Sequence, residues 1–401
     1  MKDSNKGKML TTVSIGTATV WFSTHCGAGF ASGTQELQYF ANHGWFGPLM
    51  PLITMFVIAL TYYFGIETAR QTHKWDYAGW SKEAFGPVAP VCSVCLDISV
   101  VVTTIAATAA AIAAGAELVK QSFGTPTWVG LILMFTIITL LCIFGEKVVR
   151  NNAMIMTTAI LIIITIVIVL GLIKFAPNIQ RLFSQGYVNP KASKWGIAGS
   201  MATTKGNIGN SLLWALTYSG FQIGAVSAVS ASFKGARFKK ESQGAMILGY
   251  VLNTLMLVGV CLLIFSNMPD IYNDPQAKLL PTVYIVNHLD FKPLAVLYPL
   301  LLFLALVTTA VGMTFGMVQR LSPLVLKKMD RPILKNAIIS ISILIICYAI
   351  SNLGLMFVIT KAYRYLGIFT WFGVIIPLWI FAPRTLKKRR LEREKMEAAG
   401  K

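Results

Sequence analysis

Charged side chains are scarce in this sequence, and their scarcity sets its class. They make up 13% of the 401 residues, whereas soluble domains carry about a quarter. Long apolar runs separate them, and one run, residues 153–172, has no ionisable side chain. A run of about 20 such residues is long enough to cross a bilayer as a helix. The composition therefore predicts an all-α polytopic membrane protein and excludes a soluble nucleotide enzyme.

Residue types that carry catalysis or crosslinks are also few. The six cysteines all lie in apolar stretches without the spacing of a disulfide framework, so we expect them to be small buried hydrophobic residues. The four histidines are scattered, and the sequence contains no HExxH, no GxSxG and no phosphate-cradling loop. These absences exclude a secreted disulfide scaffold. They favour a protein that is not an enzyme and has no cofactor.

Ten apolar segments, numbered spans 1 to 10, are predicted to be membrane helices. In chain order they cover residues 9–40, 46–67, 84–115, 126–144, 151–175, 207–230, 243–266, 293–318, 336–354 and 362–381. The longest outer connection joins span 5 to span 6 and divides the spans into two sets of five. The predicted parts are a cytoplasmic head at 1–8, a first five-helix repeat at 9–177, an extracellular loop at 178–206, a second five-helix repeat at 207–382 and a basic cytoplasmic tail at 383–401.

The net charge of +19 is explained by membrane topology. With the N-terminus inside, 25 of the 35 Lys and Arg residues fall on the inner side and 10 on the outer side. Retention of cations in the cytoplasm produces this bias, so we expect a multi-pass protein of the cell membrane with both termini in the cytoplasm. The basic tail is expected to contact anionic membrane lipid. No nucleic-acid partner is needed, and a fold of this size can work as a monomer, although the sequence leaves the oligomeric state open.

Two spans are interrupted by glycine in the same way. The interruptions are Cys26-Gly27-Ala28-Gly29-Phe30-Ala31-Ser32-Gly33 in span 1 and Tyr218-Ser219-Gly220-Phe221-Gln222-Ile223-Gly224 in span 6. Each interrupted span opens one set of five, and because five is odd, the second set enters the membrane from the opposite side. The pattern predicts a 5+5 inverted repeat with broken helices 1 and 6. Such paired breaks are the best sequence pointer to the binding site of a transporter.

A broken helix inside a membrane needs polar surroundings. Glycine lets the chain leave helical geometry, and the exposed carbonyls and amides are tolerated only where they line a cavity. The carbonyls can then coordinate a cation, and the amides at the start of a half-helix attract an anion such as a carboxylate. The alternative is that the glycines only permit close helix packing.

Asp97 lies well inside span 3. An ionisable group there costs about 2.5–3.5 kcal/mol on insertion scales, so we expect it to face the bundle interior and to have a partner or a function. It could bind a substrate amine, carry a coupling proton or neutralise a bound cation. The alternative is a structural hydrogen bond between helices.

Polar and aromatic side chains beside the two breaks are candidates for the wall of a substrate cavity. They are Trp214, Tyr218, Ser219, Phe221 and Gln222 in span 6 and His25 in span 1. Aromatic faces attract an ammonium group, and the side chains of Ser219 and Gln222 can hydrogen-bond a substrate. Further out, Glu36 could form an outer gate with Lys361 or Arg364, although simple surface pairing explains the same charges.

The ten spans, the inner N-terminus and the two breaks resemble the amino acid–polyamine–organocation superfamily with the leucine-transporter fold, and more closely the YkvI-type amino acid permeases of bacteria. The resemblance covers about residues 9–382 and is carried by Gly27-Ala28-Gly29-Phe30, Ser219-Gly220-Phe221 and Thr308-Thr309. It implies a Na⁺ ion between the span 1 break and span 8. By position, its ligands would be the carbonyls of Ser23, Cys26 and Ala305 and the hydroxyls of Thr308 and Thr309. Phe30 stands where some members place an amide side chain, which argues against a second Na⁺.

The resemblance and the breaks together predict a secondary active transporter of amino acids or similar small zwitterions or amines. Coupling to Na⁺ is expected, with H⁺ as the alternative. Spans 1, 2, 6 and 7 would rock against spans 3, 4, 8 and 9, giving alternating access. The substrate carboxylate would meet the amides around Gly27 to Gly29, and its ammonium group the span 6 carbonyls or Asp97. Two other functions stay open: a ligand sensor similar to the membrane subunits of spore germinant receptors, and a channel.

Overall fold

The computed structural model describes residues 7–144, 146–192, 194–195, 207–322, 325 and 329–398. Its α-helices are α1 Thr12–His25, α2 Ala28–Ser32, α3 Thr34–Tyr39, α4 Met50–Thr72, α5 Tyr77–Ala84, α6 Ala89–Phe123, α7 Thr127–Phe144, α8 Glu146–Ser184, α9 Ile208–Gln222, α10 Val226–Ser232, α11 Lys239–Ser266, α12 Asp270–Asn273, α13 Pro275–Leu279, α14 Pro281–Asn287, α15 Lys292–Leu321, α16 Pro332–Ser351, α17 Leu355–Phe357, α18 Tyr363–Thr370 and α19 Ile376–Ala398. Short 3₁₀ turns include 223–225, and π-helical turns lie at 358–362 and 371–375. Residues 1–6 of the predicted head, 196–206 of the predicted loop and 399–401 of the predicted tail lie outside the described residues.

Nine helices in the described part of the chain are long and apolar enough to cross a membrane. They cover Gly47–Thr72, Gly86–Phe123, Thr127–Phe144, Thr158–Ser184, Ile208–Ser232, Lys239–Ser266, Lys292–Val318, Ile333–Ser351 and Leu355–Met396. Predicted span 1 does not appear among them because it is divided into α1, α2 and α3, each too short to cross alone. The all-α polytopic class is confirmed, whereas the count of ten spans and the inverted repeat stay predictions.

The long helices form two groups. In the first, α1, α4, α9, α10 and α11 pack on one another. In the second, α6 packs on α7, α15 and α16, and α8 packs on α15 and also contacts α11. The first group corresponds to predicted spans 1, 2, 6 and 7, and the second contains spans 3, 4, 8 and 9. The packing therefore has the division that the rocking movement requires.

Two helices extend beyond their predicted limits. α8 continues through Pro177 to Ser184, so the outer loop does not begin at residue 178 as predicted. Proline has no N–H group, so it removes one backbone hydrogen bond from the helix. Ending the helix inside the membrane would leave several backbone groups without hydrogen-bond partners, because lipid offers none. The helix therefore continues through the proline. α19 continues from predicted span 10 to Ala398, which makes the basic tail an extension of the last membrane helix.

Candidate functional site

Span 1 is broken on both sides of a short helical segment. α1 ends at His25, and Gly27 is extended, with φ −70° and ψ −165°. After α2 the chain turns at Gly33, whose φ of +79° is left-handed and is adopted by glycine without a steric penalty. A Cβ at this position would also lie 2.8 Å from the side chain of Thr282. The structure therefore shows the break at Gly27, with α2 beginning at Ala28, and a second change of direction before α3.

Span 6 is less interrupted than predicted. α9 continues through Ser219-Gly220-Phe221, and the interruption is a single 3₁₀ turn at 223–225. Gly220 permits close packing, since a Cβ there would overlap the carbonyl of Gly367 in α18. A Cβ on Gly224 would overlap the hydroxyl of Thr103 in α6. Both glycines therefore permit close helix packing, and the observed interruption is confined to the C-terminal end of the predicted one, at the turn that contains Gly224.

Two carbonyls beside this turn already accept hydrogen bonds from side chains. The Tyr62 hydroxyl donates to the Gln222 carbonyl at 2.8 Å, and the Thr103 hydroxyl donates to the Phe221 carbonyl at 3.3 Å. Such bonds satisfy groups that lose regular helical partners at the end of a helix. These two span 6 carbonyls therefore each have one side-chain donor, and their binding of a substrate ammonium group stays a prediction.

A cavity of about 810 Å³ lies between the two helix groups. Its walls come from α1, α5, α6, α10 and α15. One end of the cavity is lined by Cys26 and Thr309, which lie in the middle of their spans. The other end is lined by Tyr77, the first residue of α5, and by Arg320. The charge count predicts that α5 lies on the cytoplasmic side. The cavity thus connects the span 1 break with the predicted inner face.

The other side of the break is closed. All six residues of α3 are buried, and the Thr34 hydroxyl donates to the last carbonyl of α13 at 2.6 Å. The Thr282 hydroxyl of α14 donates to the Ala31 carbonyl at 2.7 Å. The Tyr39 hydroxyl donates to the carbonyl of Ile359, also at 2.7 Å. Ile359 lies in the π-helical turn at the start of predicted span 10. The cavity is therefore open on one side of the break and closed on the other.

The predicted Na⁺ ligands all line the cavity of about 810 Å³. They are Ser23, Cys26, Ala305, Thr308 and Thr309. Span 8 lies against the break, since a Cβ on Gly27 would be 3.4 Å from Cγ2 of Thr309. The Thr308 hydroxyl donates to the carbonyls of Leu304 at 2.8 Å and Ala305 at 3.1 Å. A hydroxyl that donates its proton keeps its oxygen lone pairs, so the Thr308 oxygen can still coordinate a cation, and the Na⁺ site stays a prediction.

A small recess of about 30 Å³ adjoins the cavity at the break. The residues that line both are Thr24, Thr103, Ala225, Thr309 and Met313. The recess is completed by His25, Gly27, Gly29, Gln35, Ala107, Phe221, Gln222 and Tyr363. None of these lining residues is an Asp, Glu, Lys or Arg. The volume has room for about one group of the size of a water molecule, and its polar surface is neutral.

Asp97 has a partner that the sequence analysis did not identify. Its Oδ1 lies 2.5 Å from the guanidinium group of Arg320 in α15, and this guanidinium lies 4.8 Å from the ring centroid of Tyr77. The ion pair joins spans 3 and 8 near the inner end of the cavity. In this conformation Arg320 neutralises the carboxylate, so the contact of Asp97 with a substrate amine stays a prediction. The structural alternative is the one observed.

The predicted outer gate is not formed. Glu36 is fully buried, and neither of its carboxylate oxygens accepts a hydrogen bond within the described part of the chain. The Arg364 guanidinium instead lies 5.7 Å from the ring of Trp214, and Lys361 in the π-helical turn does not bond Glu36 either. The turn at Gly33 changes the direction of the chain before α3. A helical face extrapolated from α1 therefore does not predict where Glu36 points.

Several other predicted substrate residues lie outside the cavity and the recess. Phe30 is 1% exposed and faces a small void lined by α8, α11 and α15. The Ser219 hydroxyl bonds its own turn at 2.6 Å, and the Trp214 ring packs edge-on to Tyr39. Tyr218 is buried and bonds His25. Of the span 6 candidates in the described region, Phe221 and Gln222 line the recess.

Seven of the recess residues were not predicted from the sequence, among them the polar residues Gln35, Thr103 and Tyr363. Gln35 follows the left-handed turn, and its amide packs against Gly29. Tyr363 stacks on Phe221 with ring centroids 4.4 Å apart, and Thr103 faces the recess from α6. Gln35 gave no local signal, since it lies in the polar stretch Ser32-Gly33-Thr34-Gln35-Glu36. The position of Tyr363 depends on how span 10 packs, which no local pattern specifies.

Comparison with known sequences identifies a family. Residues 8–286 match the Amino acid permease family, which is more than half of the chain and includes α1 to α13. No curated protein sequence matches the chain significantly. The matched region contains the span 1 break and the 3₁₀ turn of span 6.

Solved structures share the fold at low identity. A Na⁺-coupled sialic acid symporter, substrate-bound and outward-open, is 11% identical with a TM-score of 0.58, covering 92% of this chain and 89% of that one. The inward-facing conformation of Mhp1 is 11% identical with a TM-score of 0.55, covering 88% and 72%. A manganese transporter of Eremococcus coleocola is 13% identical with a TM-score of 0.50, covering 91% and 78%. These likenesses show the leucine-transporter fold, and the family match shows that the chain belongs to the amino acid permeases of the amino acid–polyamine–organocation superfamily, as a membrane transporter and not an enzyme.

Proposed function

We propose that the protein is a secondary active transporter of the cell membrane that moves amino acids or similar small zwitterions or amines together with Na⁺. The observation that carries this proposal is that the five candidate Na⁺ ligands and the span 1 break line one cavity, which extends to one side of the protein. An ion and a substrate bound beside each other would be released together to that side. Both termini lie in the cytoplasm in this proposal, so the cavity faces inward.

The chemistry of the site supports both ligands. Hydroxyl and carbonyl oxygens are hard ligands, which suit a hard cation, and the amides around Gly27 to Gly29 begin a helical segment at the break, where backbone N–H groups attract a carboxylate. Alternating access would separate α3 from α13 and α14 while closing the inner cavity. The family membership supports a small-molecule substrate, and the sialic acid symporter shares the fold and is itself Na⁺-coupled.

Thermal stabilisation of the purified protein tests this proposal. The protein is heated with individual amino acids and amines in Na⁺ buffer and in K⁺ buffer of equal ionic strength. We expect at least one of these ligands to raise the unfolding temperature in Na⁺ and not in K⁺, because bound ligand stabilises the folded state. A ligand shift that is equal in both buffers would contradict Na⁺ coupling and favour H⁺. The absence of any shift would contradict the substrate class.

A further inference from the structure

A chain of hydrogen bonds joins spans 1, 6 and 7 behind the recess. Nδ1 of His25 lies 2.8 Å from Oδ1 of Asn253, and Nε2 of His25 lies 2.8 Å from the Tyr218 hydroxyl. Nε2 of Gln222 lies 3.2 Å from the same hydroxyl. His25, Asn253 and Tyr218 are buried, whereas Gln222 is partly exposed and lines the recess. These four residues are called the relay below.

The direction of every bond in the relay follows from Asn253. Its Nδ2 donates to the Gly249 carbonyl at 2.7 Å, so its Oδ1 faces His25 and accepts a hydrogen bond. Nδ1 of His25 then carries the proton of the neutral ring, and Nε2 accepts from the Tyr218 hydroxyl. The single hydroxyl proton is used in that bond. Tyr218 can therefore only accept from Gln222, which fixes Nε2 as the atom that faces the tyrosine.

This order determines which atom Gln222 presents to the recess. With Nε2 held by Tyr218, Oε1 is the remaining polar atom of the amide, and it makes no hydrogen bond within the described residues. Rotating the amide by 180° would place Oε1 against the oxygen of Tyr218 with no proton between them. That contact is repulsive, so the relay leaves Oε1 as the acceptor that Gln222, a residue of the recess wall, can offer to a ligand.

The other acceptors considered for an ammonium group each have at least one partner already, unlike Oε1 of Gln222 within the described residues. Asp97 pairs with Arg320, and the carbonyls of Phe221 and Gln222 accept side-chain hydrogen bonds. The recess has room for about one group of the size of water, which is also the size of an ammonium group. The stacked rings of Phe221 and Tyr363 contribute aromatic surface to its wall, and aromatic faces attract cations.

We infer that Oε1 of Gln222 binds the ammonium group of the substrate, and that His25, Tyr218 and Asn253 are positioning residues that hold the amide in the accepting orientation. The inference rests on the proposed function and narrows its substrate class to compounds with a protonated amine. It gives the relay a selective role that a purely structural network would not have. Changing a member should alter the preference for amines over isosteric alcohols, and not only the overall affinity.

Amine selectivity is the quantity to measure. It is the dissociation constant of a hydroxy compound divided by that of the matching amine, determined by calorimetry on the purified full-length protein in Na⁺ buffer. Two pairs of probes are used: L-alanine with L-lactate, and n-propylammonium with 1-propanol. The variants are Gln222→Met, Tyr218→Phe and the double variant. Tyr298→Phe is the matched control, because it also loses a buried hydroxyl, but one that donates to the Ala31 carbonyl at 2.6 Å.

We expect Gln222→Met to lower the selectivity by about tenfold or more, the effect of losing one hydrogen bond to a charged group. Tyr218→Phe should lower it by a smaller factor, because the amide remains but can rotate. The double variant should match Gln222→Met, since the two residues act through one contact and their effects are not additive. The control should keep the selectivity of the unmodified protein.

Each other result has a definite meaning. Unchanged selectivity in Gln222→Met, or equal losses in Tyr218→Phe and Tyr298→Phe, would overturn the inference while leaving amino acid transport intact. Binding of propylammonium with the expected variant effects, but of no amino acid, would support the inference and restrict the proposed substrate class to amines. Binding of neither amine by the unmodified protein would overturn both.

Discussion

Thr309 is the residue at which the candidate Na⁺ site can be tested most cleanly, since it lies closest to the break at Gly27. We expect Thr309→Ala to raise the Na⁺ concentration for half-maximal ligand-dependent thermal stabilisation by about 10- to 100-fold, because a hydrogen-bonding contact to a charge contributes about 1.5–3 kcal/mol. Thr104→Ala is the matched control, as Thr104 lines the same cavity but donates to its own helix at Val100. An unchanged Na⁺ dependence in Thr309→Ala would refute the site.

Asp97 gives a second prediction at the scale of single residues. Because its carboxylate pairs with Arg320 beside the inner end of the cavity, Asp97→Asn is expected to leave ligand affinity within about twofold. The pair is partly exposed, so the loss of stability should be less than about 1 kcal/mol. Calorimetric titration and thermal unfolding measure the two quantities. A large loss of amine affinity would show that Asp97 contacts the substrate in another conformation.

Single residues also show where sequence reasoning succeeds. Gly27 is visible in the sequence as a break in an apolar run, whereas the pair Thr308-Thr309 could be placed beside it only through the family resemblance. The partner of Asp97 and the burial of Glu36 could not be predicted. Both depend on how separate helices approach each other, and Glu36 lies beyond a left-handed turn that ends the helical register of α1.

At the scale of elements, the first prediction concerns the close crossing of α9 and α18. A Cβ on Gly220 would overlap the carbonyl of Gly367, so Gly220→Ala should force the helices apart. We expect a loss of about 1–3 kcal/mol in the free energy of unfolding, the usual penalty of overpacking. Gly209→Ala on the same helix is the control, because the nearest atom to its Cβ is a side-chain oxygen of Asn207 at 3.5 Å. Equal stability of the two variants would contradict the crossing.

The basic extension of the last helix is tied to α5 through Glu83. Lys74 donates to this carboxylate at 2.8 Å and Arg389 at 2.6 Å, and the Lys74 bond, with a further contribution from Arg389, holds the pKa of Glu83 below its usual value of 4.5. A carboxyl group with a lowered pKa contributes stability above the usual value and loses it as the pH falls through the lowered one. The contact should therefore persist at neutral pH and weaken progressively below pH 4.5.

The pH dependence of this contact can be measured as a distance. Spin labels introduced at the exposed positions Lys82 and Lys387 should report a separation that increases as the pH falls below that value. In Glu83→Gln the separation should not change over the same range, because the titrating group is gone. A distance change of equal size in both proteins would assign the effect to another group.

At the scale of the whole molecule, the two sides of the span 1 break should not be open together. The cavity exposes Ala228, whereas Thr34 is buried under α13 and α14. In the absence of substrate we expect a cysteine at position 228 to react with a water-soluble thiol reagent and one at position 34 to be protected. During transport, position 34 should become reactive while position 228 becomes less so. Simultaneous reactivity at both positions would indicate a channel.

The sequence predicts the architecture better than the site at this scale. Apolar runs and charge bias are properties of the chain itself, so the polytopic helical class and the membrane helices follow from them. The division into two packed groups follows from the resemblance and agrees with the contacts of α1, α4, α9 and α11. The closed side of the break is predicted neither by the apolar runs and charge bias nor by the resemblance. It depends on hydrogen bonds between residues far apart in the sequence, such as Thr282 and Ala31.

The central claim, that a cation gradient drives uptake of an amine-bearing small molecule, is tested most directly in liposomes. Purified protein is reconstituted, and accumulation of a radiolabelled ligand found by thermal stabilisation is followed under an inward Na⁺ gradient. The account predicts saturable accumulation above the external concentration, which is lost when the Na⁺ gradient is dissipated and in Thr309→Ala. Binding without any accumulation or counterflow would contradict transport and identify the protein as a sensor.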